Sequence, residues 1–277
     1  MSSSAQPAAP ARGATRAGRG TDFVQSLERG LAVIRCFTED TPALTLSEVA
    51  KSTGLTRAAA RRFLLTLVEL GYMRSDGRLF MLSPKVLELG HSYLSGLELP
   101  DIALPHMREL VDRIHESSSI AVLDGDAITY VARVPTKRIM SVSISIGTRF
   151  PAHGTSMGRV LLAAQTDEWL DGYLATVALE PITRFTITDP DKLRAELVRV
   201  RRQGYALVNQ ELEEGLRSIA VPIRDGHGRV LAAINVSLHA SRASAEAHRK
   251  QVLPPLQHTA AAIEHDLALH GQHLAPA

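Results

Sequence analysis

The hydrophobic and polar positions of residues 44–72 follow a helical period in two short stretches separated by a turn. Thr45 and Glu48 have the spacing of a capping box, a hydroxyl residue three positions before a glutamate, which predicts the start of a helix. Gly54 interrupts this helix, since glycine adopts the backbone conformations that a tight turn needs. Thr56 is a suitable N-cap for a second helix, in which apolar residues recur every three or four positions. The pattern therefore predicts a helix-turn-helix.

Basic residues cluster on the second predicted helix and in the hairpin that follows it. The arginines of the helix lie towards its N-terminal end and away from its apolar face, where a recognition helix meets base edges and phosphates. Two strand-like runs flank a turn at residues 75–77, as in the wing of a winged helix-turn-helix. A helical hairpin with solvated arginines is the alternative. The residues predicted to contact DNA are Thr45, Thr56, Arg57, Ala58, Arg61, Arg62, Arg74 and Arg78.

Two further helical patterns flank this region. The first, over residues 23–37, carries Leu27, Leu31 and Ile34 on one face and is expected to pack on the helix-turn-helix through it. The second begins at Ser83-Pro84, with a hydroxyl at the N-cap and proline at the first helical position. Its apolar side has few partners in so small a domain, so we expect it to be buried against a second copy of the chain.

From Ser118 onwards the hydrophobic period changes to two, which is typical of strands with one buried face. Strict alternation of apolar residues with serine predicts one such strand over residues 140–146. Helical patterns follow, and strands return at 205–208, 218–224 and 230–238. The strands do not alternate regularly with helices as in a βαβ fold. We therefore predict an α+β protein whose second domain is an antiparallel sheet with helices packed on it.

Composition and charge narrow the classes of function. The chain has 277 residues, of which 45% are hydrophobic, and a net charge of +2, so a nucleic-acid surface must be local rather than global. Its one cysteine, Cys36, forms no internal disulfide and suits a reducing compartment. Neither a membrane span nor a secretory signal is present, which predicts a cytoplasmic protein associated with the bacterial nucleoid. The 11 histidines form no metal-binding motif, and we expect neither a metal nor another cofactor.

The run Gly154-Thr155-Ser156-Met157-Gly158 matches G-x-S-x-G, the nucleophile elbow of α/β-hydrolases. With Asp189 and either His227 or His239 downstream, it makes a serine esterase the alternative function. An elbow needs a strand that runs directly into the turn, and residues 148–153 intervene. We therefore favour a helix N-terminus whose free N–H groups attract an anion. A hydroxyl N-cap without any ligand is the third interpretation.

Four segments of the sequence resemble the IclR family of bacterial transcriptional regulators. They are Gln25-Ser26-Leu27-Glu28-Arg29-Gly30-Leu31, Leu55-Thr56-Arg57, residues 154–163 and residues 215–220. The resemblance covers about Phe23 to Leu267. Within the family, residues 144–149 and 211–218 are most similar to regulators of protocatechuate, 4-hydroxybenzoate and β-ketoadipate catabolism.

The resemblance implies the domain organisation and the partners. These are double-stranded operator DNA, a small organic acid effector, and a second copy of the chain in a homodimer or a dimer of dimers, with no membrane. The function implied is a sequence-specific transcriptional regulator of aromatic-acid catabolism and not an enzyme. The expected segments are a disordered basic N-terminal arm over 1–21, the winged helix-turn-helix over 22–84, a linker or dimerisation helix over 85–99, a GAF-like effector domain over 100–268 and a disordered tail over 269–277.

The resemblance also implies effector contacts around the 154–158 loop. Met140, Val142 and Phe150 are expected to form an apolar wall. Asn235 and Ser237 lie on one face of a late strand and are expected to hydrogen-bond the acid, unless that face is solvated. Val208 replaces an aspartate of a glyoxylate-binding relative, which favours a larger and more apolar ligand. The expected effector-binding residues are Met140, Val142, Phe150, Ser156, Met157, Val208, Ser218, Asn235 and Ser237.

Charged residues near this loop are further candidates to pair with an effector carboxylate. Arg217 is one, although we favour a structural role in which it ties down one of the acids among residues 211–214. Arg133 and His153 are candidates of the same kind.

Overall fold

The computed structural model of the protein describes residues 22–38, 40–89, 99–136, 144–242 and 244–273, with side chains up to residue 269. The chain divides into two compact units, Met1–Ser92 and Tyr93–Ala277. The predicted N-terminal arm, the predicted linker helix beyond residue 89 and the end of the predicted tail lie outside the described residues.

The N-terminal unit is a three-helix domain with a small antiparallel sheet of order β1-β3-β2. Its central packing comes from apolar residues of all three helices and of the wing, including Val33, Val49, Leu64 and Phe80. This arrangement confirms the predicted winged helix-turn-helix. Its elements are α1 (Gln25–Arg35), β1 (Ala43–Thr45), α2 (Leu46–Thr53), α3 (Arg57–Glu69), β2 (Met73–Ser75) and β3 (Leu79–Leu82).

The helix boundaries of this unit follow the predicted caps. Thr45 accepts a hydrogen bond from the Glu48 backbone N–H, and the Glu48 carboxylate accepts one from the Thr45 N–H, which completes the capping box. Gly54 ends α2 in the left-handed region with φ of 68°. Thr56 caps α3 by accepting from the N–H of Ala59. These local bonds fix the turn that joins the two helices.

Of the apolar face predicted for helix α1, only Ile34 packs against the domain core. Val33 and Phe37 are buried in the domain core, whereas Leu27 and Leu31 are 63% and 45% exposed. The expectation that Leu27 and Leu31 bury against the helix-turn-helix is therefore wrong, because the close approach to α3 is made at Gly30, beside Phe63. After the wing, a 3-10 turn forms at Pro84–Val86, and residues 87–89 are helical.

The C-terminal unit contains a six-stranded antiparallel sheet of order β6-β5-β4-β9-β8-β7. Helices cover both of its faces, which confirms the predicted architecture. The strands are β4 (Ser117–Asp124), β5 (Ala127–Val134), β6 (Arg149–Pro151), β7 (Ala206–Asn209), β8 (Leu216–Arg224) and β9 (Val230–His239). The helices are α4 (Leu99–Ile114), α5 (Ser156–Ala163), α6 (Asp167–Thr176), α7 (Pro190–Gln203) and α8 (Ala245–His273).

Alternating residues of the central strands face two separate cores. On one face Ile219 and Val221 of β8 and Ile234 and Val236 of β9 pack with α4 and α8. On the opposite face smaller residues such as Ala220 and Ala233 pack with α5, and α7 packs behind α5. The second face, which we call the α5 face, leaves room beside the N-terminus of α5.

The strand predicted over residues 140–146 differs from the described structure. The predicted strand over 140–146 lies partly outside the described residues, and its last part, Ile144–Ile146, is not in a strand, with Ile146 more than half exposed. An edge strand instead forms at Arg149–Pro151 and pairs with β5. Helix α8 begins at Ala245 and continues through Pro254 and Pro255.

Candidate effector pocket and DNA-binding surface

A pocket opens on the α5 face, where the N-terminus of α5 meets strands β8 and β9. The space between its walls amounts to about 340 Å³, part of it open to solvent. One wall is apolar and the floor is polar. The lining residues are Tyr130, Ile144, Gly154, Thr155, Ser156, Val208, Leu212, Leu216, Ser218, Asn235 and Ser237.

The polar floor is a hydrogen-bonded cluster centred on the Ser218 hydroxyl. Ser156 Oγ lies 2.7 Å and Ser237 Oγ 3.1 Å from Ser218 Oγ, and Asn235 Nδ2 donates to the same oxygen at 3.0 Å. The Asn235 amide oxygen in turn accepts from the Ser119 backbone N–H at 3.1 Å. The hydroxyl and amide groups can donate to a carboxylate or accept from a ligand hydroxyl.

The strand register explains why these side chains meet. Ser218 pairs with Ser237 on one side and with Val208 on the other, and Asn235 lies two residues before Ser237. Directly opposed residues of antiparallel strands point to the same face. The register therefore places Asn235 and Ser237 on the face opposite to Ile234 and Val236.

The N-terminus of α5 forms the end of the pocket and is shaped by two glycines. Thr155 caps the helix by accepting from the Gly158 N–H at 3.0 Å. A Cβ on Gly158 would lie 2.1 Å from the carbonyl oxygen of Ala152, and one on Gly154 would lie 2.7 Å from Ile182 Cδ1. Close packing thus accounts for both glycines of the G-x-S-x-G pattern.

The arrangement around Ser156 does not support the esterase alternative. Its hydroxyl bonds to Ser218, and no histidine of the described residues bonds to it. A serine nucleophile needs an adjacent general base.

Beside the pocket, α5 carries an ion pair that the sequence did not reveal. Arg159 is 1% exposed, and its guanidinium forms a two-point contact with the carboxylate of Glu211, with Nη1 2.9 Å from Oε1. Arg159 Nε also donates to the carbonyl of His153 at 3.0 Å. Glu211 Oε2 accepts from the Ile187 N–H at 3.1 Å. A planar fork of donors facing a carboxylate is a strong and directional contact.

The backbone around Glu211 also anchors the connection between α6 and α7. Thr183 Oγ1 donates to the carbonyl of Gln210 and Thr186 Oγ1 to that of Glu211, both at 2.7 Å. Leu212, which follows Glu211 directly, lines the pocket. The pocket wall therefore depends on contacts made outside it.

The remaining predicted effector residues occupy several environments. Val208 lines the pocket, and the Met157 side chain is fully buried in the core beneath it. Phe150 is half-buried and packs edge-on against Tyr130, with ring centroids 5.8 Å apart. Met140 and Val142 lie outside the described residues. Tyr130, Ile144, Leu212 and Leu216 were missed, because they come from separate elements that carry no common motif.

The charged candidates also separate by face. Arg217 alternates with Ser218 and so points away from the pocket, where its Nε donates to Asn209 Oδ1 at 2.9 Å. Burial lowers the pKa of Arg217. Glu211 is held by Arg159. His153 is buried, bonds to the carbonyl of Glu180 at 3.2 Å, and has its pKa lowered by burial.

The predicted DNA-binding residues all belong to the N-terminal unit, between Thr45 and Arg78 in sequence. Five arginines are exposed, and within the described chain none of them forms an ion pair with an acid: Arg57, Arg61, Arg62, Arg74 and Arg78. Ala58 is exposed at the start of α3. Thr45 and Thr56 use their hydroxyls as caps. Exposed cations at a helix start and a wing are available to phosphates.

Within the part of the chain that the structure describes, no helix is both long and apolar enough to span a membrane. Among the same residues, no group of three or more histidine, cysteine, aspartate or glutamate side chains is placed to hold a metal ion.

Comparison with known proteins matches both units. Residues 26–77 match the IclR helix-turn-helix domain, and residues 91–265 match the domain described as bacterial transcriptional regulator IclR C-terminal. The Pca regulon regulatory protein of Pseudomonas putida is 49% identical over 236 residues, which cover 85% of this chain and 81% of that protein. The p-hydroxybenzoate hydroxylase transcriptional activator of Acinetobacter baylyi is 36% identical over 247 residues, covering 87% and 91%.

A solved structure shares the fold of nearly the whole chain. It is an IclR homologue from Microbacterium hydrocarbonoxydans in complex with 4-hydroxybenzoate. The TM-score is 0.77 at 29% sequence identity, and the match covers 87% of this chain and 98% of that chain.

Proposed function

Because the chain belongs to the IclR family of bacterial transcriptional regulators, we propose that it controls genes of aromatic-acid catabolism in response to an acid of that pathway. The effector is an aromatic or ring-cleavage acid of the β-ketoadipate pathway. Support comes from the relatives, one named for the Pca regulon and one for p-hydroxybenzoate hydroxylase, and from the homologue that holds 4-hydroxybenzoate.

The observation that carries the effector proposal is the pocket with an apolar wall and a polar floor. Tyr130, Leu212 and Leu216 offer apolar contact to a ring. The Ser218 cluster and the N-terminus of α5 offer hydrogen-bond donors to an anionic or hydroxyl group. A small ligand that is apolar in the middle and polar at its ends fits this distribution.

The exposed arginines of α3 and of the wing support operator binding. Phosphate contacts give an affinity that falls with salt, and base contacts from the start of α3 give sequence discrimination. We propose that Arg57 reads bases. Thr45, Thr56, Ala58, Arg61, Arg62, Arg74 and Arg78 complete the proposed interface.

We further propose that the protein acts as a dimer on a partly palindromic operator, with pairing into a dimer of dimers as an additional step. The exposed apolar residues of the N-terminal unit support this, since Phe23, Val24, Leu27 and Leu31 are large apolar side chains that are each 45–63% exposed. Half-sites are then expected about one helical turn apart, or a multiple of it. Sedimentation of the free protein and of its DNA complex tests the stoichiometry.

Fluorescence anisotropy with two labelled duplexes tests the function. One duplex carries the region upstream of the protein's own gene and the other a scrambled sequence of the same composition. We expect preference for the first duplex, and a change in its affinity when protocatechuate or 4-hydroxybenzoate is added. An effector can shift the equilibrium only if it binds the two DNA-binding states differently. Equal affinity for both duplexes at every salt concentration would contradict the regulator proposal.

The Arg57→Ala variant tests the reading role in the same assay. We expect a loss of discrimination equivalent to about 1–3 kcal/mol, the value of a good base contact. Arg16→Ala, in the N-terminal arm, is the control and should leave discrimination unchanged. If Arg57→Ala weakens binding to both duplexes equally, Arg57 contacts phosphate rather than bases.

A further inference from the structure

One arginine on the α5 face lies beside the pocket without lining it. Arg133 of β5 is paired with Ser119 of β4, and Ser119 is paired with the pocket residue Asn235 of β9. Directly opposed residues share a face, so Arg133 points to the side of the sheet that holds the pocket.

A β-bulge is the reason that Arg133 faces this side. Ala121 pairs with Tyr130 and Ile120 with Ala132, which leaves Val131 as the extra residue in β5. Tyr130 and Arg133 are three residues apart and would face opposite sides of a regular strand. The extra residue brings both onto the α5 face.

The guanidinium of Arg133 is partly withdrawn from water and lacks a counter-ion among the residues that the structure describes. Its side chain is half-buried, and its Nη1 donates to Ser119 Oγ at 3.3 Å. No aspartate or glutamate among the described residues lies within 4.0 Å of it. Arg159, by contrast, has Glu211. Burial lowers the pKa of Arg133, and its charge acts on the buried phenol of Tyr130.

A charge withdrawn from water is costly unless an opposite charge or several hydrogen bonds compensate it. Arginine has five N–H donors, and within the described chain one hydroxyl uses one of them. The charge of Arg133 is therefore best compensated by a negatively charged hydrogen-bond acceptor that enters from the pocket side.

We propose that Arg133 binds the carboxylate of the effector and so makes the pocket selective for acids over neutral analogues. This rests on the proposed function, in which the effector is an aromatic or ring-cleavage acid. With the carboxylate at Arg133, the ring lies along Tyr130, and the far end of the ligand reaches the Ser156–Ser218 cluster at the N-terminus of α5. A carboxylate with arginine makes a charge-assisted pair that an amide cannot replace.

Calorimetry with a matched pair of ligands tests the proposal on the full-length protein. The probes are 4-hydroxybenzoate and protocatechuate and their neutral carboxamides. The unmodified protein should bind the acids more tightly than the amides. Arg133→Gln should weaken binding of the acids about 10- to 100-fold, the range for hydrogen bonds to charged groups, and leave the amides unchanged. Arg133→Lys should keep part of the preference for acids.

A control variant separates this effect from a general loss of charge. Arg149→Gln removes an arginine of the neighbouring strand β6 whose side chain is 53% exposed and pairs with Asp124, and it should keep the full preference for acids. Without ligand, Arg133→Gln should melt at the same temperature as the unmodified protein or higher, because none of the described residues is left behind as an unpaired counter-ion.

Three results would overturn the assignment or its basis. If Arg133→Gln keeps the original ratio of acid to amide affinity, another residue binds the carboxylate. If acids and amides lose affinity equally and the ligand-free variant melts earlier, Arg133 is structural. If the unmodified protein binds neither acid, the proposed effector class itself fails, which is a separate outcome visible before any variant is made.

Discussion

Replacing Glu211 with leucine removes the carboxylate that pairs with the buried guanidinium of Arg159. Breaking a buried ion pair from one side costs about 3–5 kcal/mol, because the remaining charge stays in a poorly solvated site. A second carboxylate moderates the loss, since Glu196 Oε1 lies 3.9 Å from Arg159 Nη1. The Ile187 N–H also loses its acceptor, which adds about 1 kcal/mol. We expect Glu211→Leu to lower the free energy of unfolding by about 4 kcal/mol, within the range given above.

Removing both charges together should cost much less. In Arg159→Met/Glu211→Leu no unpaired charge remains, and apolar replacements of buried ion pairs are often close to neutral. The carbonyl of His153 and the N–H of Ile187 still lose their partners, so we expect a residual loss of about 1–2 kcal/mol. The coupling between the two side chains is the loss of unfolding free energy in the double variant minus the sum of the losses in the two single variants.

The chain's single tryptophan provides the assay. Trp169 lies in α6 of the C-terminal unit, so its fluorescence during urea unfolding follows this unit and not the DNA-binding domain. Equilibrium unfolding of the unmodified protein, both single variants and the double variant gives the complete cycle. A double variant as unstable as the sum of the two single variants would refute the argument that the two charges depend on each other.

Three further substitutions test packing and titration. Gly158→Ala should destabilise the protein by about 1–3 kcal/mol in thermal unfolding, since the added Cβ meets the backbone of Ala152; Gly172→Ala, in an open helical site of α6, should stabilise it by about 0.5–1 kcal/mol. His248 is fully buried beside Arg217, and burial lowers its pKa from 6.5 to about 4. Above pH 6.5 this histidine is neutral in both the folded and the unfolded protein, so its burial is tolerated. As the pH falls towards 4, the unfolded state binds the proton more tightly, and we expect the free energy of unfolding to fall by about 3 kcal/mol. His248→Leu should abolish this loss, and an unchanged pH profile in that variant would show that other groups titrate.

Helix boundaries could be predicted because they are set by neighbours in sequence. Thr45, Glu48 and Thr56 bond to backbone groups at most three residues away. Asp189 likewise caps α7 through the N–H groups of residues 191 and 192, and Gly204 ends it in the left-handed region. Each of these signals is complete within one turn of helix.

Features that depend on distant partners could not be predicted in this way. Arg159 and Glu211 are 52 residues apart, and nothing in either segment specifies the other. The side of the sheet that Arg133 faces depends on a bulge, which shifts the alternation by one residue. Helix α1 has two apolar stripes, and periodicity alone did not decide that Val33, rather than Leu27, faces the core.

The alternation of β8 and β9 between two cores has an evolutionary consequence. Positions 218, 235 and 237 line the proposed effector pocket, while their immediate neighbours 219, 234 and 236 pack in the core on the opposite side. Mutations at every second codon can therefore change ligand preference without loosening the packing against α4 and α8. A regulator built on this plan can diverge towards new metabolites by small steps, each of which leaves a folded protein for selection to act on.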